Sequence, residues 1–193
     1  MSQVTWKAVD DALDAIKKNF EGLAESKRKG VERVIFLDSE VMGAAVKFPP
    51  DKLKRHFKDI LRDWDDDIVH LVSPVFANSH FFFAAIHITG KERLIVHSVG
   101  ARGENTPLQA YVPKLIEYLH IPDNKIESPR ARLGLRTTAG GANACAGYAL
   151  AALEEYLASG GKLSNREKVH EKAATWMVWL RKRDKEMKYL PEK

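Results

Sequence analysis

Val9, Leu13, Ile16, Phe20 and Leu23 recur at helical spacing with Asp and Lys between them, which predicts an amphipathic helix packing one face on the body. Ser26 to Gly30 reads as a charged loop. In Val31 to Met42 the apolar run Val34-Ile35-Phe36-Leu37 leads to Asp38 and Ser39. Either is placed to cap a helix through Val41, Met42 and Ala45, which Pro49-Pro50 ends. Asp51 is set to cap a second helix, Leu53 to Trp64, before Asp65-Asp66-Asp67 makes a solvated break. From Ile68 the period becomes that of strands. Ile68 to Val72 is a short buried-type strand, ended or bent by Pro74. Phe81 to Ile88 is apolar on both faces and therefore central, and Thr89-Gly90-Lys91 turns the chain back antiparallel through Arg93 to Ser98. Gly100 to Thr106 is a polar loop, Leu108 to Leu119 a helix with Pro113 near its first turn, and Ile121 to Glu127 an edge strand. Tyr148 to Leu157 is built of good helix formers and stops at Gly160-Gly161. Ser164-Asn165-Arg166-Glu167 is a capping box opening a last helix with Val169, Ala173, Trp176, Met177 and Leu180. Helices, a small antiparallel central sheet, then flanking helices make an α+β domain.

The 193 residues suit one domain, and 45% hydrophobic against 30% charged residues is an ordinary globular balance. No apolar run approaches the roughly 20 residues of a membrane span, and the first 18 residues lack an apolar signal core. The net charge of +5 gathers partly at Lys27-Arg28-Lys29, Lys52 to Lys58 and Arg181-Lys182-Arg183. Such runs are usually solvated faces; the alternative is an acidic partner, either a protein surface or nucleic acid, for which no motif is present. One cysteine allows no internal disulfide and no thiolate-rich metal site, which fits a cytoplasmic or nuclear location. No histidine pair has metal-site spacing with an acidic third ligand, so no metal and no other cofactor is expected.

That cysteine, Cys145, stands where the loop Thr137-Thr138-Ala139-Gly140-Gly141 turns into a helix. A helix N-terminus favours thiolate, the nucleophilic form, whereas a free cysteine elsewhere is commonly a small core hydrophobe. A thiol nucleophile needs a base. Of seven histidines, His80 lies where a loop enters the central strand, a rigid position with one end open to a cleft. His87 reads as structural, and His56, His120 and His170 fall on or at the end of charged helices.

Three blocks, in order, make the chain resemble the papain-like peptidases that process ubiquitin-like modifiers, the SUMO proteases and their relatives. Phe36 to Met42 resembles that family's Trp-Leu-Asn-Asp-Glu-Val-Ile segment. Ile68 to Ile88, with Asn78-Ser79-His80, resembles the segment of the catalytic histidine, and the Cys145 block resembles the Asp-Cys-Gly segment. The resemblance covers about residues 31–160 and implies a papain-like cysteine protease fold with the nucleophile at a helix N-terminus. It divides the chain into an N-terminal helix (1–30), a peptidase core (31–160) and a C-terminal helix (161–193) within one domain. It makes Cys145 the nucleophile and His80 the general base of a thiol (iso)peptidase that cleaves after a modifier's C-terminal Gly-Gly. Phe36, Asp38, Phe81, Gly140 and Gly141 would then contact substrate. The implied partner is a ubiquitin-like modifier, SUMO-like or ubiquitin, or its conjugates, and the chain is expected to be a monomer.

The departures are specific. The family's aspartate, about 17 residues after its histidine, corresponds to His97, which would have to orient His80 without a negative charge. Glu104 or Asn105, in the following loop, could swing in as a substitute. The family's oxyanion glutamine is Ala139, and the residues flanking the cysteine are Ala144 and Ala146. These changes raise a second reading, a catalytically weak or inactive pseudoprotease that still binds a modifier.

Overall fold

The computed structural model describes residues 5–62, 68–77, 80–90, 93–99, 107–122, 125–127, 144–163 and 166–188. The first helix, α1 (Trp6–Glu21), opens with the Thr5 hydroxyl accepting the Ala8 N–H at 3.3 Å, a side-chain cap for an otherwise unpaired donor. Val9, Leu13, Ile16 and Phe20 are buried as their spacing predicts, but Leu23 lies beyond the helix and is exposed. Val34–Phe36 forms a three-residue strand, β1, where the sequence showed only an apolar run.

Two short helices follow. The helix α2 (Val41–Ala45) has Glu40 at its N-cap with no side-chain bond, so neither Asp38 nor Ser39 caps it. The helix α3 (Pro50–Ile60) starts one residue before Asp51 with Pro50 in its first turn, where a missing N–H costs nothing. It ends before Trp64, which lies outside the described residues.

The strand β2 (Ile68–Ala77) runs straight through Pro74, contrary to the short strand expected. Its neighbours explain the tolerance. His70 N–H goes to Arg33 and Phe76 N–H to Ser39, so alternate amides of β2 face β1. Pro74 is in that alternation, and β1 has already ended at Phe36, so no ladder bond is lost. The strand pairs antiparallel with β3 (His80–Thr89), which turns at Gly90 (φ 54) and pairs antiparallel with β4 (Arg93–Val99). After the helix α4 (Pro107–Leu119), with Pro113 in its second turn, β5 (Ile126–Glu127) closes the order β1-β2-β3-β4-β5. The centre is antiparallel as expected, but β1 and β5 both join parallel, so the sheet is mixed. The remaining helices are α5 (Ala144–Ala158) and α6 (Arg166–Lys188); the capping serine expected for α6, Ser164, lies outside the described residues.

Strand alternation sorts the core into two halves. Val72, Phe81, Phe83, Ala85 and Val99 point to one face and pack with α1, α5 and α6. Val69, Leu71, Phe82, Ala84, Ile86 and Ile88 point to the other and pack with α2, α3 and α4. Three layers result, helices on both sides of one sheet. The small-residue helix α5 lies directly against β2 and β3, and its first turn is where the cysteine sits.

Candidate active site

Cys145 is the second residue of α5, three residues upstream of Tyr148, where the helix-forming run begins. Its neighbours Ala144, Ala146 and Gly147 are all buried, and their small size lets the helix head descend onto the sheet. The first-turn amides of a helix have no intrahelical acceptor and form its positive end, so the thiol occupies a position that stabilises negative charge. A further donor comes from the strand: the Phe81 N–H points to Cys145 Sγ at 3.5 Å. Phe81 directly follows His80, the half-buried first residue of β3. The fold therefore brings the cysteine block and the histidine block to one end of the sheet, although they are 64 residues apart at the Phe81–Cys145 bond.

Phe81 itself enters the site through its backbone. Its ring is buried, 4.8 Å from the Phe76 ring across the β2–β3 pairing, so it forms floor rather than an open substrate contact. Phe36 is half-buried, paired with Val72 and edge-on to Phe20 at 6.0 Å. Past Phe36 the chain stays along β2: Leu37 N–H reaches Val72, the Ser73 hydroxyl donates to the Asp38 carbonyl at 3.3 Å, and the Ser39 carbonyl accepts Phe76 N–H at 2.8 Å. This places the exposed Asp38 one step from Phe76, and Phe76 pairs with Phe81. Ser39, expected from sequence only as a helix cap, donates its N–H to Asp10 Oδ1 at 2.8 Å, tying this rim to α1. Burial lifts the Asp10 carboxyl above its usual range against that bond, and the charges of Asp38 and Glu40 push the same way. Gly140 and Gly141, together with Ala139, lie outside the described residues.

His97 does not join this end of the molecule. In the β3–β4 ladder it stands opposite Ala85, five residues along β3 from His80, or about 17 Å at strand rise. Its ring meets Tyr156 of α5 at 5.4 Å, and Tyr156 is eleven residues along the helix from Cys145, again about 16 Å. The two spacings agree, and they correct the expectation that His97 orients His80. Counting 17 residues from the histidine presumed a shorter hairpin than the one that forms. Instead His97 belongs to a second cluster with His70, His87 and Tyr156. Among the described residues no group of three or more His, Cys, Asp or Glu is arranged to hold a metal ion, and no helix is long and apolar enough to cross a membrane.

The fold has solved counterparts. The chain superposes on the Xanthomonas campestris effector protein XopD bound to ubiquitin with a TM-score of 0.53 and 16% identity, covering 90% of this chain and 91% of that one. Another XopD structure, described for its insights into the substrate specificity of ubiquitin-like protein proteases, gives a TM-score of 0.53 at 14% identity over 88% and 98%. The SUMO protease Ulp1 with its catalytic cysteine oxidised to a sulfonic acid aligns over 95% and 98% at 13% identity, with a TM-score of 0.47. No protein-family model and no curated protein matches the chain. At these identities the likeness is one of fold, and the fold is the α+β protease fold that the three sequence blocks pointed to.

Proposed function

We propose that the chain is a thiol peptidase acting on a ubiquitin-like modifier, with Cys145 as nucleophile and His80 as general base. The observation that carries this reading is the contact between the head of α5 and the first residues of β3, where Phe81 N–H meets Cys145 Sγ beside His80. The likeness in fold to XopD supports it. In this reading His80 takes the thiol proton, and the thiolate attacks the carbonyl carbon of the modifier's terminal glycine. The C–N bond to the leaving amine breaks as His80 returns the proton to nitrogen. Water then attacks the thioester, releasing the modifier's carboxylate and restoring the thiol. The amides of the first turn of α5 would stabilise the oxyanion, with Gly140 and Gly141 completing the hole in place of the side chain that Ala139 lacks. With His97 on Tyr156, the group that orients His80 would come from the residues after β4. Val99, the last described residue of that strand, stands opposite Phe83, three residues from His80, and Glu104 and Asn105 follow in the sequence. Asp38 would line the entrance for the modifier's tail. A net charge of +5 favours an acidic modifier such as SUMO.

Turnover of modifiers carrying a C-terminal fluorogenic amide tests the proposal. Wild type should release the fluorophore from at least one of SUMO or ubiquitin, and Cys145→Ala should not. A second reading, binding without turnover, is favoured by the remoteness of His97. It predicts calorimetric binding of a modifier, unchanged by Cys145→Ala, and no fluorophore release. Absence of both cleavage and binding refutes both readings.

A further inference from the structure

The end of α5 opposite Cys145 rests on three histidines that no catalytic role requires. Hairpin register sets them together. His70 of β2 pairs directly with His87 of β3, and His97 of β4 lies two positions beyond Ile95, the partner of His87, on the same face. The His70 and His87 rings are stacked with centroids 4.3 Å apart and planes at 25°. Tyr156 closes the group from α5: its hydroxyl meets His70 Nδ1 at 2.8 Å, and its ring lies 5.7 Å from His70 and 5.4 Å from His97.

His70 is fully buried, and beyond Tyr156 its ring meets the Gly30 backbone, a contact that favours the charged form. The lid over it is backbone. Just past α5, a Cβ added at Gly161 would lie 2.9 Å from His70 Cε1, and one at Gly30 would lie 2.9 Å from the Gly160 carbonyl. Gly30, Gly160 and Gly161 all have positive φ (86, 65 and 82), which only glycine adopts without strain. Such contact leaves little room for water or a counter-ion beside the ring.

We infer that this histidine–tyrosine cluster is an acid-operated latch that holds α5, with Cys145 at its head, against the sheet. The inference does not depend on the peptidase reading. Two imidazolium rings cannot share a stacked site at this distance without strong repulsion. The surrounding charges give little relief. Glu32, exposed before β1, is the carboxylate that favours a charged His70, together with the Gly30 backbone. Arg93 of β4 opposes charge on His87. Glu155, next to Tyr156 on α5, is engaged with Lys172 at 3.5 Å and with Ser159.

Burial first and neighbouring charge second hold all three histidines below their ordinary value, His70 at about 4. The closed state therefore binds fewer protons than the open one. Its stability is full above about pH 6.5, the ordinary histidine value, and falls as pH drops through that value toward about 4. Within the window a histidine that is neutral in the closed state and charged in the open one lowers the closed-to-open ratio by at most about tenfold per pH unit.

The test is the rate at which Cys145, 5% exposed, reacts with dithiodipyridine, a thiol reagent that works in acid, followed on the full chain together with near-ultraviolet circular dichroism. Wild type should open steeply as pH falls from about 6.5 to about 4. His87→Phe keeps a ring on His70 without a titrating group, and His97→Phe does the same beside Tyr156. Each should make the pH dependence of the labelling rate less steep, by at most about tenfold per pH unit, read against its own rate near neutrality so that a general loss of stability cancels. Unchanged steepness in both variants, or Cys145 labelling in wild type that ignores pH across the window, overturns the latch.

Discussion

Gly147→Ala sets two physical terms against each other. Gly147 lies two residues after Cys145, buried inside α5, where helix propensity alone makes alanine better by about 1 kcal/mol. The packing says the reverse. A Cβ at this position would lie 2.6 Å from Met177 Cγ and 2.9 Å from the Ala173 carbonyl oxygen of α6. Methionine can swing away, but the carbonyl is backbone, so α6 must retreat by about half an ångström to reach ordinary contact distance. Because the obstacle includes backbone that cannot relax locally, the cost falls in the upper part of the usual overpacking range, about 2–3 kcal/mol, which leaves a net loss of about 1–2 kcal/mol after the propensity gain is subtracted. For a chain of this size each kcal/mol moves Tm by about 2–4 °C, so the expected fall is about 2–8 °C, read by circular dichroism at 222 nm (roughly the helical band). An unchanged or raised Tm would mean that α6 does not press on α5 as described, and the argument for how the helix head is seated would fail with it.

Phe57→Ala should cost about 3–5 kcal/mol in urea denaturation, because Phe57 is 1% exposed and meets the rings of Tyr111 and Tyr118 at 5.3 Å each. Tyr111→Phe should cost about 0.5–1.5 kcal/mol in the same assay, since it removes only the 2.9 Å contact between its hydroxyl and His56 Nε2. Arg93→Ala should leave thermal stability indistinguishable from wild type at moderate salt: its paired bonds to Glu127 fasten the short edge strand β5, but both groups are solvated.

Much of the layout was legible because local pattern determined it. The hairpin from His80 to Val99, the amphipathic α1, and a small-residue helix ending at Gly160-Gly161 all follow from periodicity and turn residues. Cys145 at a helix head and His80 at a strand mouth were visible for the same reason. What escaped depends on pairing between distant segments. Three residues, Val34–Phe36, are too few to show a period, and their parallel partner lies more than thirty residues on, so β1 was not seen. Pro74 looked like a strand end because nothing local reveals that β1 stops short of it. His97 was misplaced by counting residues along the chain: the long arms of the β3–β4 hairpin carry it past the cleft to Ala85. The same register arithmetic would have found the histidine cluster, since the β2–β3 pairing that sets Ala77 against His80 also sets His70 against His87. Phe81 N–H as a partner for the thiol could not be read from a side-chain pattern at all.

The central claim is that Cys145 is a nucleophile served by His80. It is tested most directly by intact-mass spectrometry of the chain after incubation with SUMO or ubiquitin carrying a C-terminal propargyl amide. The account predicts a covalent adduct of one modifier on wild type, mapped to Cys145, absent in Cys145→Ala and strongly slowed in His80→Ala. Wild type that binds a modifier yet forms no adduct with either probe, or His80→Ala that reacts as fast as wild type, would contradict it.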